Sequence, residues 1–314
     1  MKIGIDMMGG DFAPVEAVKG VKQYLESTSH DISLVLIGDQ GQLVPLLEKD
    51  KVDSTRYQVV HAPEAIDMHE HPTKALKGKP LSSINIGFQL LAKEDIHAFI
   101  SAGNTGAMMV GAMYSIKAID GIQRPTISTV LPRENGSTGL LLDVGINSDC
   151  KPENLLQFAI LGSLYAKHIL NIANPRVALL NIGEEESKGN LLVQAAYPML
   201  SENKKINFTG NIEGRDIFSD KADVIVCEGF TGNVVLKMAE SIFDIYSSRN
   251  LKDAYIEKFN FENYGGTPVL GVAEPVIIGH GISKGLAFKN MIALAELILR
   301  RRLLDKIREN FHSE

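Results

Sequence analysis

The segment AFISAGNTGAMMVGA, residues 98–112, contains the pattern that decides the fold. Ala98–Ser101 is a short apolar run typical of a buried strand, and the apolar residues that recur from Thr105 onward are typical of a helix. A turn rich in glycine and polar side chains connects the two directly. A strand that ends in such a turn and leads straight into a helix is the repeating unit of an α/β protein.

The same pattern recurs along the whole chain. The predicted strands are Lys2–Asp6, Ser33–Ile37, Tyr57–His61, Ala98–Ser101, Ile127–Leu131, Gly139–Val144, Arg176–Asn181, Ile206–Thr209, Asp223–Cys227 and Pro275–Ile278. The predicted helices are Pro14–Ser27, Leu81–Ala92, Thr105–Ala118, Glu153–Asn171, Gly189–Ser201, Asn233–Ser247 and Ser283–Glu309. This alternation predicts a mainly parallel sheet with helices on both of its faces.

One pair of strands departs from the alternation. Ile127–Leu131 and Gly139–Val144 are separated only by a short turn containing Asn135-Gly136, which is typical of a β-hairpin. We therefore predict a mixed sheet. The chain, residues 1–314, is expected to form a single catalytic unit of two intertwined halves, in which residues 247–267 are a surface loop or a shortened insertion.

Composition indicates a large globular protein. With 314 residues the chain exceeds the size at which a single core stops growing, about 250–300 residues. The net charge of −6 argues against a general nucleic-acid binder. Cys150 and Cys227 lack the spacing of a metal site, which favours a reducing cytoplasm. Neither a signal-peptide pattern nor an apolar stretch of about 18 residues occurs, so we expect a soluble protein that is at most peripheral to a membrane.

Four strand ends carry glycine-rich turns with polar side chains. These turns are Ile5–Asp11, Ser101–Ala107, Leu180–Asn190 and Cys227–Lys237. In an open α/β sheet, ligands bind where the carboxyl ends of the strands converge. Turns without side-chain bulk let backbone amides approach an anion. The pattern therefore predicts an anion site, with tight strand-to-helix connections of no further function as the alternative.

Other signatures are incomplete. The sequence has no P-loop, and a GxSxG match around Ser283 lacks an acid and a histidine on later strands. His61, His69 and His71 lack metal-ligand spacing, so neither a metal nor a cofactor is expected. His280 follows a predicted strand, and an imidazole there could transfer a proton near neutral pH; a structural histidine is the alternative.

Taken together, these segments resemble the bacterial phosphate acyltransferases of phospholipid synthesis, the acyl-[acyl carrier protein]:phosphate acyltransferase family. The resemblance is carried, in family order, by IDMMGGD (Ile5–Asp11), SAGNTGA (Ser101–Ala107), LLDVGIN (Leu141–Asn147), NIGEEESKGN (Asn181–Asn190), GNIEGRD (Gly210–Asp216), CEGFTGNVVLK (Cys227–Lys237) and His280-Gly281. Three features depart from the family. Ile146 replaces a small residue, Ile278-Gly279 precedes the histidine, and the helical segment after Ser248 is short.

The resemblance implies a three-layer α/β/α fold with one mixed, mainly parallel sheet, similar to the isocitrate and isopropylmalate dehydrogenases and the phosphotransacetylases. It implies transfer of a long-chain fatty acyl group from acyl carrier protein to inorganic phosphate. It also implies a homodimer, and an acyl phosphate product that passes to a membrane acyltransferase.

The polar turns and the resemblance together supply candidate site residues. His280 is expected to protonate the departing thiolate, while Asn233 and Lys237 neutralise charge. The expected phosphate-binding residues are Ser101, Asn104, Thr105 and Gly106. The expected substrate-pocket residues are Asp6, Gly9, Gly10, Asp11, Asn147, Glu184, Thr231 and Gly232. For Glu184, capping of the following helix is the alternative role.

Several alternatives stay open at this point. Cys150 could carry the acyl group covalently, or it could be a small buried residue. A phosphotransacetylase-like enzyme that uses small acyl-coenzyme A is the main alternative activity. A hydride-transferring dehydrogenase and a non-catalytic scaffold are two further classes.

Overall fold

The computed structural model describes residues 1–28 and 31–311. The strands are β1 (Lys2–Asp6), β2 (Ser33–Gly38), β3 (Tyr57–His61), β4 (Ala98–Ser101), β5 (Thr126–Pro132), β6 (Thr138–Leu142), β7 (Arg176–Asn181), β8 (Asn207–Glu213), β9 (Val224–Val226), β10 (Gly266–Leu270) and β11 (Val276–Gly279). The helices are α1 (Val15–Ser27), α2 (Gln40–Lys49), α3 (Pro72–Gly78), α4 (Ser83–Ala92), α5 (Thr105–Gly111), α6 (Pro152–His168), α7 (Leu191–Glu202), α8 (Gly229–Ser248), α9 (Gly285–Arg300) and α10 (Leu303–Phe311).

The chain divides into two compact units. Unit 1 comprises Met1–Ile119 and Phe261–Leu304. Unit 2 comprises Asp120–Asn260 and the C-terminal segment from Asp305. The chain therefore leaves unit 1 after its first 119 residues and returns to it to add β10, β11 and α9.

The strand order in unit 1 is β3-β2-β1-β4-β11-β10. All neighbouring pairs are parallel except β10 and β11, which are antiparallel. Strands β1 and β4 are buried at consecutive residues and not at alternate ones, as expected of parallel strands covered on both faces. Because β1, β4 and β11 are adjacent and parallel, the loops that follow them lie at one edge of the sheet.

Helices α1 and α9 of unit 1 pack closely against each other. A Cβ atom added to Gly20 would overlap Phe288 and the carbonyl of Gly285, so this contact requires glycine. At the start of α9, the amide of Gly285 donates a 2.8 Å hydrogen bond to Oε2 of Glu16. The first turns of both helices are thereby held side by side next to the loops that follow β1 and β11.

The strand order in unit 2 is β5-β6-β9-β7-β8, again with parallel neighbours except for one pair. The antiparallel pair is β5 and β6, so the hairpin predicted from Asn135-Gly136 is confirmed. Gly136 has φ = +86°, a conformation that glycine adopts without strain. In both units the sheet is mixed and mainly parallel, as predicted.

A buried ion network stabilises the end of β5 in unit 2. Arg133 donates to Oδ1 of Asp223 at 2.6 Å, and Nε of Arg176 donates to Oδ2 at 3.0 Å. Burial alone would raise the pKa of Asp223, but the hydrogen bonds from these two arginines outweigh it and hold the pKa below its usual value. The carboxylate is therefore charged and fully engaged at neutral pH.

Several elements differ from the prediction. Strand β10 was missed because its sequence, GTPVL, contains glycine and proline, which are unusual inside strands. Helices α2 and α3 were also missed, since they are short and weakly periodic. The long final helix is two helices, α9 and α10, broken where Arg302 adopts φ = +51°. After α8, the chain forms only short 3₁₀ turns at Ile256–Phe259 and Phe261–Asn263 before β10 begins.

Candidate functional site

A buried carboxylate organises the loop edge of unit 1. Asp6, the last residue of β1, is fully buried. Its Oδ2 accepts a 2.6 Å hydrogen bond from the hydroxyl of Ser101, and its Oδ1 accepts one of 3.0 Å from the amide of Met8. Burial raises the pKa of Asp6, and the hydrogen bonds from Ser101 and Ser83 offset part of that rise. One side chain thus fixes the loops after both β1 and β4.

Two glycines allow these loops to touch. A Cβ atom on Gly9 would lie 2.6 Å from the amide nitrogen of Gly103, which no real side chain tolerates. The amide of Gly103 in turn donates a 2.9 Å hydrogen bond to the hydroxyl of Ser101. Gly10 has φ = +102° and also requires glycine. The backbones of residues 6–11 and 101–106 therefore form one surface with little side-chain bulk.

Asn104 connects a third loop to this surface. Its Oδ1 accepts a 2.9 Å hydrogen bond from the amide of Ala107 and so caps α5. Its Nδ2 donates to the carbonyls of Asp67 (3.0 Å), Met68 (3.2 Å) and Glu70 (2.9 Å). Because both ends of this buried amide are already engaged within the protein, Asn104 holds residues 67–70 in place.

The next two residues have uncommitted donors. Thr105 is exposed and Gly106 is half-buried. Over residues 1–28 and 31–311, the Thr105 hydroxyl and the amides of Thr105 and Gly106 have no hydrogen-bond partner. Of the four residues expected to bind phosphate, these two have donors that no described residue engages, whereas Ser101 and Asn104 are buried and support the loops.

His280 lies on a fourth loop at the same edge. The amide of Asp11 donates a 2.7 Å hydrogen bond to the carbonyl of Gly281, which joins the loop after β11 to the loop after β1. The His280 ring contacts the Phe261 ring, with their centroids 4.6 Å apart. Unit 1 therefore brings Asp6, Gly9, Gly10 and Asp11 together with residues 101–106 and His280.

Unit 2 contains a comparable arrangement around Asp143. This buried carboxylate follows β6 and accepts hydrogen bonds from the amides of Gly145 (3.1 Å), Ile146 (3.2 Å) and Asn147 (2.8 Å). The Asn147 side chain adds a fourth hydrogen bond of 2.6 Å. Burial raises the pKa of Asp143, and the donated hydrogen bonds offset part of the rise. Asp143 was not among the predicted site residues, although it lies between a buried strand and a glycine turn, as Asp6 does.

The start of α8 packs against this loop. The amide of Gly229 donates a 2.7 Å hydrogen bond to the carbonyl of Asn147, and Nδ2 of Asn233 donates to the carbonyl of Val144 at 3.2 Å. Glu228 caps α8 by accepting hydrogen bonds from the amide and the hydroxyl of Thr231. Gly232 lies so close to the Asp143 carbonyl that a Cβ atom there would overlap it. Unit 2 thus brings together Asn147, Thr231, Gly232 and Asn233.

Two further predicted site residues have partners of their own at the surface of unit 2. Lys237, one turn after Asn233 on α8, forms a 2.7 Å ion pair with Glu240. Glu184 is 62% exposed at its side chain and forms a 2.7 Å ion pair with Lys221. Neither side chain is hydrogen-bonded to the loop around Asp143 in the described part of the chain.

The protonation state of the Cys150 thiol tests whether this residue could carry the acyl group covalently. Its side chain is half-buried, and its thiol lies 3.4 Å from the carbonyl of Asn147. Burial raises the pKa of Cys150 to about 12, with a smaller contribution from the nearby carboxylate of Asp143. A thiol with this pKa is protonated at neutral pH and is a poor nucleophile. The geometry therefore favours a small packed residue over an acyl carrier.

Residues 1–28 and 31–311 contain neither a metal-binding cluster nor a membrane-spanning helix. No group of three or more histidine, cysteine, aspartate or glutamate side chains is placed to hold a metal ion. No helix is both long and apolar enough to cross a membrane.

The fold defines the class of protein. The chain is similar to a phosphotransacetylase from Streptococcus pyogenes, with a TM-score of 0.70 at 19% identity over 95% of this chain and 94% of that one. It is also similar to a 4-hydroxythreonine-4-phosphate dehydrogenase from Klebsiella pneumoniae, with a TM-score of 0.55 at 12% identity over 95% and 97% of the two chains. These likenesses show a three-layer α/β/α fold with a mixed sheet, which confirms the predicted fold class at that level.

Sequence comparison then identifies the family. The family model described as "Fatty acid synthesis protein" matches residues 1–251. The phosphate acyltransferase of Dictyoglomus turgidum is 42% identical over 99% of this chain and 98% of its own length. That of Halothermothrix orenii is 44% identical over 100% and 99%. The chain therefore belongs to the phosphate acyltransferase family of fatty acid synthesis proteins, as the resemblance predicted.

The alignments also bear on the length of the chain. The match to the Dictyoglomus turgidum protein extends over 335 positions, whereas this chain has 314 residues. The relative therefore contains segments that have no counterpart here.

Proposed function

We propose that this enzyme transfers a long-chain fatty acyl group from acyl carrier protein to inorganic phosphate, giving an acyl phosphate for phospholipid synthesis. The observation that carries the proposal is the set of uncommitted donors at residues 105–106, at an edge of unit 1 where four loops meet. Buried hydrogen bonds hold these loops, so the donors are fixed before the ligand arrives.

The reaction needs no nucleophile from the protein. A phosphate oxygen attacks the thioester carbon, forms the C–O bond and gives a tetrahedral oxyanion. Its collapse breaks the C–S bond, and the departing thiolate takes up a proton. In the proposed site, Thr105 and Gly106 bind the phosphate, while His280 supplies that proton.

The remaining predicted residues take supporting roles in this proposal. Ser101 and Asn104 hold the phosphate-binding loops, and the glycines at 9 and 10 allow close approach of the backbone. Asp6 and Asp11 complete that wall of the pocket.

A further proposed role is charge neutralisation. Asn233 and Lys237 are assigned this role, since the exposed pair of Lys237 with Glu240 costs little to exchange. Asn147, Thr231 and Gly232 shape the loop that presents Asn233. Glu184 stays a proposed pocket residue, since its exposed pair with Lys221 likewise costs little to exchange.

The proposed partners follow from charge and exposure. An acidic carrier protein requires a local basic face, and Lys74 and Lys77 on α3 and Lys284 before α9 are exposed. For the homodimer, the support is a row of exposed apolar side chains along α8. These side chains are Phe230, Val234, Met238 and Ile245.

The product suggests where the enzyme works in the cell and which enzyme acts next. An acyl phosphate is a reactive mixed anhydride, so we infer a cytoplasmic enzyme that works beside a membrane acyltransferase and is at most peripheral to the bilayer.

We further propose that the fold is related to that of the isocitrate and isopropylmalate dehydrogenases. The segment lacking here is assigned to the stretch after α8, where only short 3₁₀ turns precede β10.

The proposal is tested by incubating the purified protein with phosphate and hexadecanoyl-acyl carrier protein while free thiol is measured. We expect phosphate-dependent thiol release and an acyl phosphate product. Acetyl-coenzyme A, the donor of a phosphotransacetylase, is the comparison substrate and is expected to be at least 100-fold poorer in kcat/KM. Equal or faster reaction with acetyl-coenzyme A would overturn the assignment of the donor.

A further inference from the structure

Four large apolar side chains of unit 1 are exposed on the segments that follow β1 and β11, the two strands that flank β4. They are Phe12 (45% exposed), Val15 (45%), Ile282 (53%) and Leu286 (39%), all in unit 1. Phe12 precedes α1 and Val15 begins it, while Ile282 precedes α9 and Leu286 lies in its first turn. We call this set the α1/α9 patch.

Two hydrogen bonds hold the segments of the patch together. The hydrogen bond from the Asp11 amide to the Gly281 carbonyl, 2.7 Å, is flanked by Phe12 and Ile282. The hydrogen bond from the Gly285 amide to Glu16, 2.8 Å, is flanked by Val15 and Leu286. The segments that carry the four side chains are therefore held next to each other by fixed parts of the fold, although Glu16 and Gly285 are 269 positions apart in sequence.

The position of the patch relates it to the reaction. Phe12 directly follows the glycine loop that ends at Asp11, and Ile282 is two residues after His280. An acyl group attacked at this edge must direct its hydrocarbon chain away from the polar loops. Hydrocarbon is favourably removed from water by apolar side chains, and each methylene buried strengthens binding roughly fourfold.

We propose that the α1/α9 patch binds the hydrocarbon chain of the acyl donor as it leaves the reacting carbonyl. This inference rests on the proposed function and adds to it the residues that select a long chain. The patch is specific for an apolar chain because none of its four members carries a polar group. A carrier protein, in contrast, would be recognised through the lysines outside the patch.

A direct binding measurement tests the proposal without turnover. The chain contains no tryptophan, so Phe12→Trp introduces a single fluorescent reporter within the patch. The probes are unreactive pantetheine thioethers with a hexadecyl or an ethyl chain, used below the concentration at which they form micelles. We expect the hexadecyl probe to shift the tryptophan emission to shorter wavelength and the ethyl probe to leave it unchanged.

Leu191→Trp is the matched control, because Leu191 is an exposed apolar residue in the first turn of α7 in unit 2. Its emission is expected to stay constant with both probes. No shift for Phe12→Trp, an equal shift with both probes, or the same shift for Leu191→Trp would each overturn the proposal. Failure of the proposed function alone would instead leave the hexadecyl shift intact while phosphate-dependent thiol release was absent.

Kinetics provide a second readout. Ile282→Ser combined with Leu286→Ser is expected to raise KM about tenfold for a hexadecanoyl donor and less than twofold for a butanoyl donor on the same carrier protein. A similar rise for both donors would identify the patch as a contact for the carrier protein and would contradict the proposal.

Discussion

The hydroxyl of Ser101 donates a 2.6 Å hydrogen bond to Oδ2 of Asp6, and this bond joins the carboxyl ends of the adjacent strands β4 and β1. The Asp6 carboxylate is fully buried, so donated hydrogen bonds must replace its lost hydration. Loop amides and hydroxyls supply them. The edge of unit 1 is thus held from its buried side, and the donors at Thr105 and Gly106 remain for a ligand.

The free hydroxyl of Thr105 provides the first test. Thr105→Val removes this donor while keeping the shape of the side chain, and no hydrogen bond within the described protein is lost. We expect KM for phosphate to rise about tenfold, as for loss of one hydrogen bond to a charged ligand. Steady-state kinetics with varied phosphate measure it. Thr105→Ser should restore most of the wild-type value, and an unchanged KM in Thr105→Val would remove the hydroxyl from the site.

Gly9→Ala tests the close approach of two loops. The added methyl group would lie 2.6 Å from the Gly103 amide, so the loops must separate. We expect kcat/KM to fall about 100-fold, because displacement of the binding groups by about 1 Å has this effect. The control is Gly78→Ala at the end of α3, where an added Cβ meets nothing within 4 Å. Wild-type kinetics in Gly9→Ala would show that this contact does not shape the site.

Asn104→Asp separates the two functions of that side chain. The aspartate can still accept the hydrogen bond that caps α5, but it cannot donate to the carbonyls of Asp67, Met68 and Glu70. We expect faster hydrogen exchange at residues 67–70 and a stability loss of about 1–3 kcal/mol. Hydrogen exchange followed by mass spectrometry measures the exchange rate at residues 67–70. Unchanged exchange there would argue that the loop is held by other contacts.

Asp223 is predicted to stabilise unit 2 in a pH-dependent manner. Asp223→Asn should lower the free energy of unfolding by about 3 kcal/mol at pH 7, because it removes the 2.6 Å ionic partner of buried Arg133 and leaves the longer 3.8 Å pair with exposed Asp220 in its place. The pKa of Asp223 is lowered in the folded protein, so its contribution is complete above the unfolded value, about 3.9, and is lost as the pH falls through the lower folded value.

Urea titrations of wild type and Asp223→Asn between pH 7 and pH 3 measure this difference. The difference in the free energy of unfolding between the two proteins should become smaller only at the acidic end of this range. Glu309→Gln, which removes an exposed pair with Lys306, is the control and should leave stability unchanged. A difference in the free energy of unfolding that did not depend on pH would contradict the assignment of Asp223 as a charged carboxylate.

Cys150→Ser tests the covalent route. Because the thiol pKa of about 12 keeps Cys150 protonated, the variant is expected to retain turnover within about twofold of wild type. Mass spectrometry of wild-type protein quenched during turnover should reveal no acyl adduct on this residue. An acyl group trapped there, together with a loss of turnover in Cys150→Ser, would restore the covalent mechanism.

The loops of the candidate site were predictable where the signal was local. Ile5–Asp11 and Ser101–Ala107 each combine a buried strand with a glycine turn, and this pattern alone predicts that both lie at strand ends. Asp143 carried the same signal in LLDVGIN and could have been found by comparing that segment with IGIDMMGG. In contrast, no pattern in the sequence predicts the hydrogen bonds that Asn104 donates to residues 67–70.

The sequence by itself determined the order and type of most elements, the hairpin at Asn135-Gly136 and the glycine turns, because these follow from periodicity and backbone preference over a few residues. Tertiary structure alone decided which polar groups form hydrogen bonds within the protein and which remain available to a ligand. Ser101 meets Asp6 across 95 positions, and Asn104 meets Asp67 across 37. Such pairings depend on how the strands are ordered in the sheet, and no local pattern contains that information.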